Sequence, residues 1–196
     1  NWVNSNIYGV HKQNWFSSYT QVELSNFDRF ILTFGGRLDI EKTDSTDMNF
    51  EISPKLGLNY SLTQNNSLRL SVGRGFRSPS LAERFSSIKY SGFEVVPNLK
   101  LRSEKSWSAE FGSLFEFQDW FFPTRIDFAL FYTRFYDLVE PQFDLTMPKP
   151  VIKFQNITNA EILGTELSLQ TLLFRLLPVT FGLTFLEPKD IDSAMV

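Results

Sequence analysis

Along most of the chain, apolar and polar side chains alternate one for one. In residues 67–77, SLRLSVGRGFR, Leu68, Leu70 and Val72 point one way, and Arg69, Ser71 and Gly73 point the other. This is the period-2 signature of a strand with one apolar and one polar face. The same alternation predicts strands over 16–24, 30–39, 50–62, 106–117, 125–139, 156–170 and 179–185. Large apolar residues such as Phe34, Leu58, Phe111, Phe128 and Leu167 fall on one face. Arg37, Asp39, Lys55, Glu110, Asp127 and Glu166 fall on the other. Charges recurring on the polar face would be odd in a soluble core, and they are ordinary in a strand with lipid on one side and a watery lumen on the other.

The connections carry a pattern of their own. Links starting at residues 25, 63, 118 and 172 are short, and those starting at 41, 78, 140 and 187 are longer or charged. Short turns below and longer loops above are the habit of a membrane barrel, and a soluble sandwich has no reason to adopt them. Residues 1–13 are polar and unpatterned and read as the tail of an outer loop. Pro79 forbids further ladder pairing after the strand at 67–77, so 78–102 reads as the longest connection. Residues 140–155, with Pro141, Pro148 and Pro150, read as another outer loop. The neighbouring aromatics Trp120, Phe121 and Phe122 read as part of an interfacial girdle.

Composition sharpens this picture. Phe is the dominant aromatic, with 21 among 196 residues, and the aromatic share of 16% is high for a soluble domain. The mean hydropathy of −0.15 is no objection, because alternating strands average a lipid face against a lumen face. No apolar run approaches the roughly 20 residues of a spanning helix, which leaves a closed barrel as the way to cross a bilayer. The chain has no Cys, excluding disulfides and thiolate metal sites. A formal charge of −3 offers no basic footprint for nucleic acid. No signal peptide opens the chain, which for an exported protein implies a processed or excerpted sequence.

Chemistry-bearing motifs are sparse. His11 stands alone and reads as a loop residue. Gly73-Arg74-Gly75 lacks the third glycine and the following helix of a dinucleotide fingerprint, so a bend or close packing is the better reading. Asn156-Ile157-Thr158 satisfies a glycosylation sequon that a bacterial barrel does not use. Glu104 with Glu110, or Asp44 with Asp47, form conceivable acid/base or calcium pairs, and a solvated or lumenal role is the better reading of each.

The run GFRSPSLAERF at 75–85, the stretch NLKLRSE at 98–104 and the strand SWSAEFG at 106–112 closely resemble the barrel domain of TonB-dependent outer-membrane receptors. GGRLD, ISPKLGLNY, FYTRFYDLVEP and NITNAEILGTELSLQ add to the likeness, which covers most of residues 15–185. The resemblance implies an all-β, antiparallel transmembrane β-barrel segment: roughly eight strands of a larger barrel of about 22. Residues 1–196 then form part of one barrel domain, without plug or terminal strands. It further implies a rim motif of Arg77, Pro79, Glu83 and Glu104, and lumen-facing Arg37, Lys55, Arg69, Glu110 and Glu166 that could meet plug or ligand. The implied role is import of a scarce solute, of the ferric siderophore, cobalamin or glycan class. It needs no cofactor, metal or covalent chemistry, and energy is coupled through the plug by a TonB-type protein. The implied location is the bacterial outer membrane, in contact with its lipid. A soluble all-β binding module and a passive porin are the alternatives.

Overall fold

The computed structural model describes residues 2–25, 27–43, 46–118, 122–146 and 148–192. Strands β1 (Trp2–Ser5), β2 (Gly9–Leu24), β3 (Phe30–Thr43), β4 (Asn49–Ser61) and β5 (Asn66–Arg77) follow one another antiparallel. A connecting segment then carries α1 (Leu81–Phe85), β6 (Ile88–Lys89) and β7 (Glu94–Val96). The meander resumes with β8 (Glu104–Phe117), β9 (Thr124–Asp144), β10 (Val151–Leu173) and β11 (Leu177–Asp190). The outcome is a single curled sheet, a half-barrel. Among the described residues no second sheet packs against it, which sets aside the sandwich. Eight strands run 12 residues or more, enough to exceed the roughly 9–11 that cross a bilayer.

Register explains why the alternating sequence makes a two-faced wall. Leu32, Leu58, Leu70, Phe111 and Leu130 stand directly opposite one another across five strands. On the other face Arg69, Gly112, Ala129 and Glu166 form an equivalent row. The apolar row has no covering layer: Leu70 is 48% exposed, Phe34 47% and Phe111 41%. The buried apolar side chains are Phe85, Val95, Leu101 and Ala129, and the first three belong to the segment between β5 and β8. The small core thus lies under that segment, not between sheets.

Strands run further than side-chain alternation announces. Residues 1–13 are not a loop tail: Trp2–Ser5 pairs with Gly9–Lys12, and Gly9, at φ 80°, makes the turn. His11 is therefore a strand residue, its ring 3.8 Å from that of Phe85. Nor is 140–155 all loop, since β9 continues to Asp144 and β10 starts at Val151. Pro141 is tolerated because β8 has already ended there, so one edge of β9 has no ladder to lose. The connection at 78–103 is not structureless, and β7 pairs parallel with the outer end of β10. Of the aromatic cluster at 120–122, Trp120 and Phe121 lie outside the described residues, as does Asp44.

One irregularity shapes the concave side. The β4–β5 ladder stops at Lys55–Gly73, although β3–β4 continues to Glu41–Asn49 and β5–β8 to Arg77–Glu104. The Pro54 carbonyl faces Gly73, and in a strand a residue's nitrogen points to the same side as its carbonyl. Pro54 therefore presents β5 with a nitrogen that has no hydrogen. Beyond this point the Arg74 guanidinium donates to the Ile52 carbonyl and, at 2.8 Å, to Glu51. The Phe76 ring lies 6.4 Å from Trp15 of β2, whereas three strand spacings in a continuous wall would separate them by about 14 Å. The end of β5 has left the wall and leans across the concave face.

Candidate functional site

The leaning end of β5 and the segment after it form a strap over the polar face. Its base is the cluster around Arg77. The guanidinium donates to Glu104 at 2.7 Å and to both Glu83 oxygens at 3.0 Å. Glu104 also accepts from the Val139 backbone N–H at 2.8 Å. Ser80 and Glu83 form a reciprocal capping box at the start of α1, and Pro79 beside them is fully buried. Burial pushes the Glu83 carboxyl upward, yet hydrogen bonds from Arg77 and Ser80 outweigh it and hold the group below the ordinary range. Four rim residues named from the sequence thus come together: three in direct contact, Pro79 adjoining.

Further along, the strap is fastened on both sides. Toward β2 and β3, the Ser87 N–H donates to the Ile7 carbonyl, and Arg84 pairs with Glu41 at 3.6 Å in a nearly dry setting. Toward β10, Asn98 donates to the Phe154 carbonyl at 2.7 Å. Asn156 binds the Arg102 backbone in both directions, at 2.9 and 3.0 Å. The sequon asparagine is thus a strap anchor. Asn156, Arg74 and Asn49, which donates to Ser103 at 2.6 Å, were not singled out by sequence reasoning. Their partners lie at sequence separations that no local pattern encodes.

On the wall itself, Arg37, Lys55, Arg69, Glu110 and Glu166 occupy the polar face, but they are not one cluster. Arg69 binds Asp127 at 2.7 Å and Glu110 at 3.3 Å, and Glu166 lines a cavity of about 390 Å³ with Arg69 and Asp127. Arg37 binds Asp39 at 2.8 Å, and Asp39 also accepts from Ser17 and Trp15. Lys55 lines an open cavity of about 570 Å³ and has no ion-pair partner among the described residues. Glu104 and Glu110 stand about 20 Å apart along β8 at roughly 3.4 Å per residue, too far to act on one bond. Among the described residues no group of three or more His, Asp or Glu could hold a metal. A cleft of about 610 Å³ opens between wall and strap, lined by Gln13, Trp15, Arg37, Phe76, Arg77 and the residues just after them.

A family model described as "TonB dependent receptor-like, beta-barrel" matches residues 1–194. The chain belongs to the TonB-dependent receptor β-barrel family. Barrels of this family are outer-membrane proteins, and its members are receptors and transporters. This TonB-dependent receptor barrel is 31% identical over 111 residues to hemoglobin-binding protein A of Haemophilus influenzae, a span of 52% of this chain and 11% of that protein. It is 26% identical over 193 residues to heme/hemopexin utilization protein C of Haemophilus influenzae (strain 86-028NP), covering 86% of this chain and 27% of that protein. The siderophore receptor PirA from Pseudomonas aeruginosa has the same fold, with a TM-score of 0.79 at 18% identity, over 96% of this chain and 37% of PirA. The receptor barrel described here thus spans well under half the length of these proteins.

Proposed function

We propose that this chain is a wall segment of an outer-membrane receptor that captures heme at its outer mouth and imports it with energy delivered through a plug. The match of residues 1–194 to the barrel family carries the transport role. Heme is favoured over ferric siderophores, cobalamin or glycans because curated relatives are named for hemoglobin and heme. In this reading the chain's residues bind and orient without covalent chemistry. Arg77, Pro79, Glu83 and Glu104 hold the base of the strap, while Arg37, Lys55, Arg69, Glu110 and Glu166 face the plug and the solute. A TonB-type protein acts on the plug. The test is growth of a strain lacking the intact receptor, with heme, hemoglobin or a ferric siderophore as sole iron source. Selective loss of growth on heme and hemoglobin supports the reading, and selective loss on the siderophore replaces it. Uptake that persists after energy coupling is abolished would instead indicate a passive pore.

A further inference from the structure

Trp15 and Phe76 line the cleft between wall and strap with their planes 14° from parallel and their centroids 6.4 Å apart. Stacked carbon atoms make their best contact at about 3.5 Å, so a ring held between two ring faces needs about 7 Å. The gap is about half an ångström short of that. The two rings differ in what holds them. Trp15 stands in the laddered wall opposite Glu41, and its indole N–H is fixed by Ser17 at 2.8 Å and Asp39 at 3.2 Å. Phe76 stands on the stretch of β5 that has left β4, just beyond Gly73 and Gly75, so widening the gap breaks no β4–β5 backbone hydrogen bond.

The charges around the cleft say what kind of ring fits. Arg77 is matched by Glu83 and Glu104, and Arg37 by Asp39, so there is no surplus positive charge to collect a polyanion. Arg37 spends Nε and Nη2 on Asp39 and Ser17, and its half-exposed side chain keeps Nη1 for an acceptor. We infer that Trp15 and Phe76 form a clamp that sandwiches a flat conjugated ring system carrying a hydrogen-bond acceptor at its edge. This deepens the heme reading, on which it rests for the identity of the natural ligand.

The intact receptor in detergent is titrated with protoporphyrin IX, which is flat and carries edge carboxylates, and binding is read from the shift of the porphyrin absorbance band. Trp15→Leu and Phe76→Leu should each weaken binding about tenfold, the scale of one lost aromatic stack. Trp15→Phe, which keeps a ring in place, should bind within about threefold of the parent and shows that the loss is not misfolding. Leucine variants that bind like the parent, a Phe variant as weak as Leu, or a parent that gives no shift would each overturn the clamp. The two readings separate cleanly. Trp15-dependent porphyrin binding in a receptor that does not support growth on heme leaves the clamp standing and removes heme import. Growth on heme with leucine variants that bind unchanged removes the clamp alone.

Discussion

At the scale of single residues, Glu83 does two jobs that one substitution can separate. It completes the capping box with Ser80 and it neutralises Arg77. Its carboxyl is held below the ordinary value of 4.5, so the folded state favours the charged form. Stability from such a group is present above its unfolded pKa and is lost as pH falls through the folded one. Exchange protection of the α1 amides, corrected for the intrinsic pH dependence of exchange, should therefore be level from neutral pH to about 4.5 and decline below it. Glu83→Gln keeps the cap but not the charge, and should abolish that acid step; a step that survives in the Gln variant would disprove the assignment. The rim motif was legible because its residues fall within one run and its sequel. Asp127, the closest partner of Arg69, could be placed on the inner face by alternation, but only register puts it across from Arg69's neighbourhood, two strands away. The same holds for Gly164. Alternation turned it inward, whereas the reason for glycine is that a Cβ there would lie 2.6 Å from Phe131 Cε2 and 2.8 Å from Leu186 Cδ2.

At the scale of elements, the seam between β4 and β5 is the feature that positions the cleft. Pro54 is visible in the sequence as a residue that should weaken a strand. Its strand survives because β3 still pairs with it on the other edge, and the damage is passed to the β5 side. Arg74 replaces the missing ladder with one side chain, bonded to a carbonyl and a carboxylate that are otherwise left at the open edge. Amides of 49–54 and 74–77 in the intact receptor should therefore exchange faster than those of 55–61 and 66–73, where the ladder is complete. Arg74→Gln should raise exchange in the first pair of segments by about tenfold, the weight of a lost charge-assisted hydrogen bond, and leave the second pair unchanged. Equal exchange above and below Gly73 would mean that the wall is continuous there. Strand existence and order were legible from alternation. Strand ends were not, because β1 and the outer parts of β9 and β10 are held by backbone pairing that places no demand on side-chain pattern.

At the scale of the molecule, everything depends on which face meets hydrocarbon. The row Leu32, Leu58, Leu70, Phe111 and Leu130 runs level across five strands without a covering layer, and Ser71 sits one residue from Leu70 on the opposite face. In water such a surface would be an aggregation site; in a bilayer it is the solvent-matched face. A charge placed in the row must be carried into lipid, at a cost of about 2–4 kcal/mol near the midplane, while the same charge one residue along stands in an aqueous lumen. Leu70→Arg in the intact receptor should therefore lower its stability against urea in lipid by about that amount. Ser71→Arg, next to Glu110 on the facing strand, should change it by less than about 1 kcal/mol. The comparison removes propensity and strand position as explanations, because both substitutions put the same side chain into the same strand. Equal effects at the two positions would mean that the wall does not separate lipid from water, and the outer-membrane reading of this chain would fall with it.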